Sequence, residues 1–347
     1  MREQRFGHGL VLGKFYPLHV GHSHLIQTAL DRCDLVTVEL LGATVESIPL
    51  EIRADWIRRE HPDVTLVTAI DDAPVDFDSP LAWDEHMHLI EALLDSPVDA
   101  VFTSDAYGEE LARRLDATWI RVDGDRSIHP VSGRAVRADV AGHWHLLPVS
   151  VRQWLTRRVV VLGAESTGTT TLSQALAVHY ETEWVAEYGR EWSALREGGL
   201  EAPWQSAEFD LIVERQLAQE SAAAARAPRP FIVCDTDVLA TVLWHERYVG
   251  YVPERLLSLA DQHAPLLYIL TGDEIPFVQD GMRDGEHLRQ AMQQRFRDEL
   301  ASREVPWIEV AGSISNRVTE STTAIDAALA TAFVFADPLE LADRLSS

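Results

Sequence analysis

Lysine is almost missing from this 347-residue chain: of its 30 basic residues 29 are arginine, and the single lysine is Lys14. Cysteine is nearly as scarce, with Cys33 and Cys234 alone, which excludes a disulfide framework and leads to the expectation of a reduced, cytoplasmic setting. No run of about 18 apolar residues occurs, and the N-terminal "MREQRFGHGL" has too short an apolar stretch for a signal peptide. The expectation is therefore no membrane partner. Positive charge is also in deficit: the formal net charge is -25 and neither half carries a basic run, so no nucleic-acid surface is expected. An anionic ligand would have to be held locally. What is present, 46% apolar and 24% charged residues, is the composition of a folded soluble protein, long enough for two cores.

Apolar strand-like runs alternate with helical spacing through both halves. In the first, "GLVLG" (9–13), "DLVTVELLG", "VTLVTAI", "DAVFTSD" and "TWIRVD" read as strands, with helices between them. A second series runs from "RVVVLG" near 158 through "PRPFIVCDTD" and "PLLYILTG" to "PWIEVAG". Such alternation predicts an α/β protein of two doubly wound parallel sheets, with domains at 1–150 and 158–347 and a helical junction at 151–157. "ESAAAARAPRP" reads as a helix end broken by prolines, and the last segment, from Ala324, as one or two helices with a loose end.

The first chemical motif is "GKFYPLHVGH", residues 13–22, where a strand ends and a helix opens. Backbone amides at the helix start, around Gly21, favour an anion. His19 and His22 can face one pocket and donate to phosphate oxygens, while Lys14 adds a point charge on the strand side. Further on, "DGDRSIHPVSGRAVR" (123–137) offers Ser132 as a helix cap and Arg137 as a second phosphate ligand.

These stretches resemble the HxGH nucleotidyltransferase superfamily, whose second motif usually reads close to S-x-T-x-[IV]-R; Arg134 here replaces the Thr. Together with "VFTSD" followed by Tyr107, they are similar to the nicotinamide mononucleotide adenylyltransferase domain of NadR-type bifunctional enzymes, from residue 9 to about 150. That resemblance implies a Rossmann-like fold, and ATP and nicotinamide mononucleotide as substrates with NAD as product. It also implies Trp83 near the nicotinamide ring, and Gly13 and Phe15 as binding residues.

In the second half, "GAESTGTT" (163–170) keeps both P-loop glycines, Gly163 and Gly168, but has Thr169 where a lysine is expected. The amides of Glu165, Ser166, Thr167 and Thr171 can still cradle phosphate, and Thr170 occupies the Mg²⁺ position. Since this half contains no lysine, any replacing cation must be an arginine: Arg190, Arg283 or Arg289. Asp235 ends the strand "PFIVCD" with Asp237 two residues on, Glu187 and Arg190 read as one helical face in "VAEYGREW", and Asp280, Arg283 and Arg289 belong to "PFVQDGMRDGEHLR", a lid-like turn.

Their order is similar to that in the ribosylnicotinamide kinase half of NadR-type enzymes, where the stretches read P-E-Y-x-R-E, D-T-D and D-G-x-R. The resemblance, from 158 to about 310, implies a P-loop NTPase fold. It makes Asp235 the base for the ribose 5′-hydroxyl and a metal ligand beside Thr170, and Arg190 and Arg283 anion stabilisers. Three rivals stay open. One is a related transferase for another phosphate substrate. Another is a second domain degenerated to a nucleotide sensor, as Thr169 suggests. The third is a DNA-binding regulator, for which too few residues precede Lys14. The sequence leaves homo-oligomerisation open.

Overall fold

The computed structural model describes residues 5–73, 75–76, 79–199, 202–278 and 286–337, with side chains of 286 and 287 left out. Two compact units emerge. Of the described residues, those up to Val151 form the first, those from Arg152 to Phe333 the second, and 334–337 group with the first. The hydroxyl of Tyr16 donates to the Ala336 carbonyl at 3.1 Å, and Ala336 N–H donates to Ser47 Oγ at 2.6 Å.

In the first unit, strands β1 (Phe6–Gly13), β2 (Cys33–Gly42), β3 (Thr65–Ile70), β4 (Ala100–Thr103) and β5 (Thr118–Arg121) form one sheet in the order β3-β2-β1-β4-β5. All its pairings are parallel. The order reverses at β1, where consecutive connections leave on opposite sides and open a crevice at the carboxyl ends of the strands. Leu10 of β1, Leu41 of β2 and Val101 of β4 pack against Trp83, Met87 and Ile90 of the helix Pro80–Leu93, closing one face.

The second unit repeats the plan with β6 (Arg157–Leu162), β7 (Trp184–Val185), β8 (Phe231–Asp235), β9 (Leu267–Thr271) and β10 (Trp307–Val310), ordered β10-β9-β6-β8-β7. Successive residues of its central strands enter opposite cores. Val160, Leu162, Ile232, Cys234, Tyr268 and Leu270 pack on one face. Val159, Val161, Phe231, Val233, Leu267 and Ile269 pack on the other. Burial on both faces is why these strands read as unbroken apolar runs. The predicted α/β architecture of two parallel sheets is thus observed. The two-residue edge strand β7 was not anticipated, since two residues carry no periodicity. The predicted helix end at "ESAAAARAPRP" is found: the helix Ser206–Arg226 stops two residues before Pro228. Among the described residues of the C-terminal segment there is one helix, Ile314–Leu329, which begins ten residues earlier than expected and is capped by Ser313.

Candidate functional site

At the end of β1 the chain turns through Phe15, whose φ of 45° is left-handed, into the helix Val20–Arg32. His19 is its N-cap, and its Nδ1 accepts the N–H of His22 at 3.4 Å. A neutral His19 therefore carries its proton on Nε2. The His19 and His22 rings stack at 3.7 Å, and Phe15 meets His22 edge-on at 5.0 Å. Nε2 of His19 and Nδ1 of His22 are buried without a hydrogen-bond partner. Burial lowers the His19 pKa to about 3, with Arg126 and His129 adding to the effect. His22 is likewise held well below its usual value, by burial, by His19 and by Arg126. Both rings are neutral near pH 7.

Around this pair lies a cavity of about 520 Å³. Every first-domain position singled out from the sequence lines it: Gly13, Lys14, Phe15, His19, Gly21, His22, Trp83, Ser132 and Arg137. Ser132 caps the helix Gly133–Ala138, accepting from Ala135 N–H at 3.2 Å. Arg137 donates to the Tyr16 carbonyl at 2.6 Å and lies 4.7 Å over the Tyr16 ring, which sets its guanidinium beside the histidines' turn. Trp83 is 6% exposed and carries the Arg114 guanidinium over its ring at 5.4 Å.

Lys14 is positioned by residues the sequence reading passed over. Its ammonium lies 3.3 Å from the buried Glu46, which also pairs with the buried Arg53 at 2.7 Å. Arg53 in turn donates to the Lys14 carbonyl at 2.9 Å. Arg126, His129 and the His86–Asp71 pair, 2.6 Å apart, complete the polar lining. Arg126 and His129 sit inside the quoted second motif, so proximity to Ser132 was a usable signal. Arg53 and Glu46 gave none, because a buried ion pair looks like any surface pair in sequence.

In the second unit β6 runs into the loop 163–168 and the helix Thr169–Tyr180. Ser166 and Gly168 adopt left-handed φ of 62° and 87°. A cavity of about 470 Å³ is lined by Gly163, Glu165, Ser166, Gly168, Thr169, Thr170, Thr171, Glu187 and Arg190. Thr167 is instead turned inward, fully buried, donating to Ala164 O at 2.7 Å and accepting from Thr271 Oγ1 at 2.7 Å. Asp235 reaches the site through Thr170, whose hydroxyl donates to its Oδ2 at 2.5 Å, while Oδ1 is buried and unpartnered. Burial raises its pKa against the opposing hydrogen bonds of Thr170 and Thr169 and the charge of Arg190. Glu187, the N-cap position of the helix Tyr188–Leu195 rather than a member of it, is pushed up to about 8 by burial and by Asp235, with Arg190 opposing.

Asp237 is not brought to the cavity. It is 1% exposed and caps the helix Val238–Val249 by accepting from Ala240 N–H, while Tyr268 donates to its other oxygen at 2.8 Å. Arg289 is buried behind the loop, and Arg283 and Asp280 lie outside the described residues. Part of the cavity lining is aromatic: Trp204 and Tyr248 stack at 5.1 Å, and Trp244 lies 6.0 Å from Tyr248. The sequence reading missed these residues, although Trp244 and Tyr248, four apart on one helix, share a face. Among the described residues no group of three or more His, Cys, Asp or Glu could hold a metal by itself, and no helix is long and apolar enough to cross a membrane.

Residues 158–317 match the family described as AAA domain. The chain is 27% identical to the trifunctional NAD biosynthesis/regulator protein NadR of Escherichia coli K12 over 294 residues, 79% of this chain and 71% of that protein. NadR of Salmonella typhimurium gives the same identity and coverage. In fold the chain is similar to a NadR protein solved with NR, with a TM-score of 0.73 at 19% identity over 94% of this chain and 96% of that one. It is also similar to NadR solved with NAD and AMP-PNP, with a TM-score of 0.68 at 18% identity over 94% and 97%. Across most of its length, then, this chain is similar to NadR proteins in sequence and shares the fold of the solved ones.

Proposed function

We propose that the first unit transfers the adenylyl group of ATP to nicotinamide mononucleotide, giving NAD and pyrophosphate, and that the second uses ATP to phosphorylate ribosylnicotinamide. The observation that carries this reading is the stacked His19–His22 pair at a helix start, with an unpartnered nitrogen on each ring. Lys14, Arg126 and Arg137 line the same cavity. Similarity to NadR proteins solved with NR, NAD and AMP-PNP supports the choice of substrates.

In the first step a phosphate oxygen of the mononucleotide forms a bond to the α-phosphorus of ATP while the α–β bridging bond breaks and pyrophosphate leaves. His19 donates through Nε2–H to the oxygen gathering charge, and Lys14 and Arg137 balance the triphosphate. In the second step the ribose 5′-hydroxyl attacks the γ-phosphorus, ADP leaves, and Asp235 accepts the hydroxyl proton. Thr170 and Asp235 suit a Mg²⁺ ion, since Asp235 Oδ1 is buried with nothing to bind; the ion would neutralise β- and γ-phosphate oxygens. Trp204, Trp244 and Tyr248 offer π faces to a cationic pyridinium ring. Neither step needs a covalent enzyme intermediate, so positioning and charge carry both.

Thr169 favours a second reading, in which the second unit senses nucleotide without transferring phosphate. One assay separates them. The protein is incubated with Mg-ATP and either ribosylnicotinamide or nicotinamide mononucleotide, and ADP, pyrophosphate and NAD are measured. NAD from the mononucleotide is the expected result, and its absence sinks the first assignment. ADP formation dependent on ribosylnicotinamide supports the kinase; its absence leaves the sensor. His19→Ala should remove only the first reaction and Asp235→Ala only the second.

A further inference from the structure

A P-loop without its lysine has lost the cation that normally faces the β- and γ-phosphates, yet two buried guanidiniums outside the cavity lining hold this loop by its carbonyls. Arg317, 3% exposed, donates through Nη1 to the Thr167 carbonyl at 2.6 Å and through Nη2 to the Gly272 carbonyl at 3.1 Å. Its Nε donates to the Gly312 carbonyl at 3.1 Å. Arg289, 6% exposed, donates to the carbonyls of Ser166 at 3.1 Å and Ile275 at 2.7 Å. Neither residue lines the cavity. A Cβ placed on Gly168 would sit 3.6 Å from Arg317 Nη1, so that cation lies within contact distance of the loop itself.

The charge balance of the pair is uneven. Arg317 is paired with Glu274 at 2.7 Å, a carboxylate that is itself 43% exposed. No carboxylate of the described residues pairs with Arg289, whose Nε is buried without a partner. A buried cation lacking an acid is costly unless an anion approaches it. A guanidinium also keeps its charge on burial, where an ammonium readily loses it. Holding the carbonyls of Ser166 and Thr167 turns the positive ends of those peptide dipoles away from the arginines. The left-handed φ values of Ser166 and Gly168 give the loop the curvature of an anion-binding nest.

The geometry points to Arg289 and Arg317 as positioning residues that replace the missing P-loop lysine from behind, acting on phosphate through the loop backbone. This rests on the reading of the second unit as an ATP site.

The test is hydrogen exchange of a peptide spanning residues 163–172, titrated with the Mg²⁺ complex of β,γ-imido-ATP, so that half-protection reports this site and not the first unit. Arg317→Met and Arg289→Met should each raise the half-protecting concentration about tenfold or more. Adding Thr169→Lys to either variant should return it to within about threefold of the parent. In the parent chain, Thr169→Lys should gain less than about threefold, because the charge is already supplied. This last substitution lies in the cavity lining, away from the buried arginines, and reads the proposal even if the arginine variants fail to fold. Gain of tenfold or more in the parent, or folded arginine variants that the lysine does not rescue, overturns the inference. A parent chain with no protection at any concentration removes the ATP-site reading and the inference together; unchanged affinity in the arginine variants removes the inference alone.

Discussion

The titration of His19 is set by its surroundings more than by its type. Its Nδ1 is committed to the His22 amide, and burial drives the pKa to about 3, with Arg126 and His129 pushing the same way. A ring so placed stays neutral from the usual value of 6.5 down to about 3 and keeps one defined donor, Nε2–H. The carbon-bound ring protons of His19, followed by NMR, should accordingly not move between pH 8 and pH 5. A midpoint near the unperturbed value would show that burial does not hold the ring neutral and that it takes up a proton between pH 7 and pH 5. At the second site the same factor works in reverse: burial pushes the Glu187 carboxyl up to about 8 beside Asp235, so the two acids do not share full negative charge at neutral pH.

Helix starts position both candidate sites, and each depends on a residue without a β-carbon. On the helix Val20–Arg32, a Cβ at Gly21 would lie 3.2 Å from the His19 ring. Gly21→Ala therefore separates two effects. It favours the helix by up to about 1 kcal/mol, since alanine is the better helix former, while pressing His19 out of its stack. The expected outcome is an unchanged or raised melting temperature with adenylyl transfer reduced more than about tenfold. Equal loss of both would mean that Gly21 serves packing alone. The histidines, the glycine and the following helix were legible in "GKFYPLHVGH" because all the parts lie within one turn of chain. Asp237 misled for the same reason: two residues from Asp235, it looks like a partner acid, but the strand has ended and its side chain turns back to cap the next helix.

For the first unit as a whole, two buried groups bend stability in opposite directions with pH. Glu39 on β2 is fully buried, neither oxygen has a hydrogen-bond partner, and burial raises its pKa from 4.5 to about 8. The folded state therefore holds a proton that the unfolded state has lost, and stability falls as pH rises from 4.5 towards 8. His19, lowered from 6.5 to about 3, has the opposite sign: its contribution is complete above 6.5 and is lost as pH falls towards 3. In urea unfolding at pH 5, 6.5 and 8, Glu39→Gln should flatten the alkaline decline. The variant should gain on the order of a few kcal/mol over the parent at pH 8 relative to pH 5. Parallel pH profiles for the two proteins would mean that Glu39 is ionised in the folded state.

The two parallel sheets were legible along the chain, because strands buried on both faces must be continuously apolar, and so were the two glycine-containing candidate loops, because glycine spacing and helix starts are local. The sequence also posed the question of Thr169 without the means to answer it. Arg289 and Arg317 meet the loop from 123 and 150 residues away along the chain. Arg317 carries no motif at all, and Arg289, within a stretch that reads as a lid, is instead buried and holds the Ser166 carbonyl. Which arginine is buried, which carbonyl it holds and which carboxylate keeps its proton depend on solvent exclusion and on chain crossings, and these exist only once distant segments have packed together.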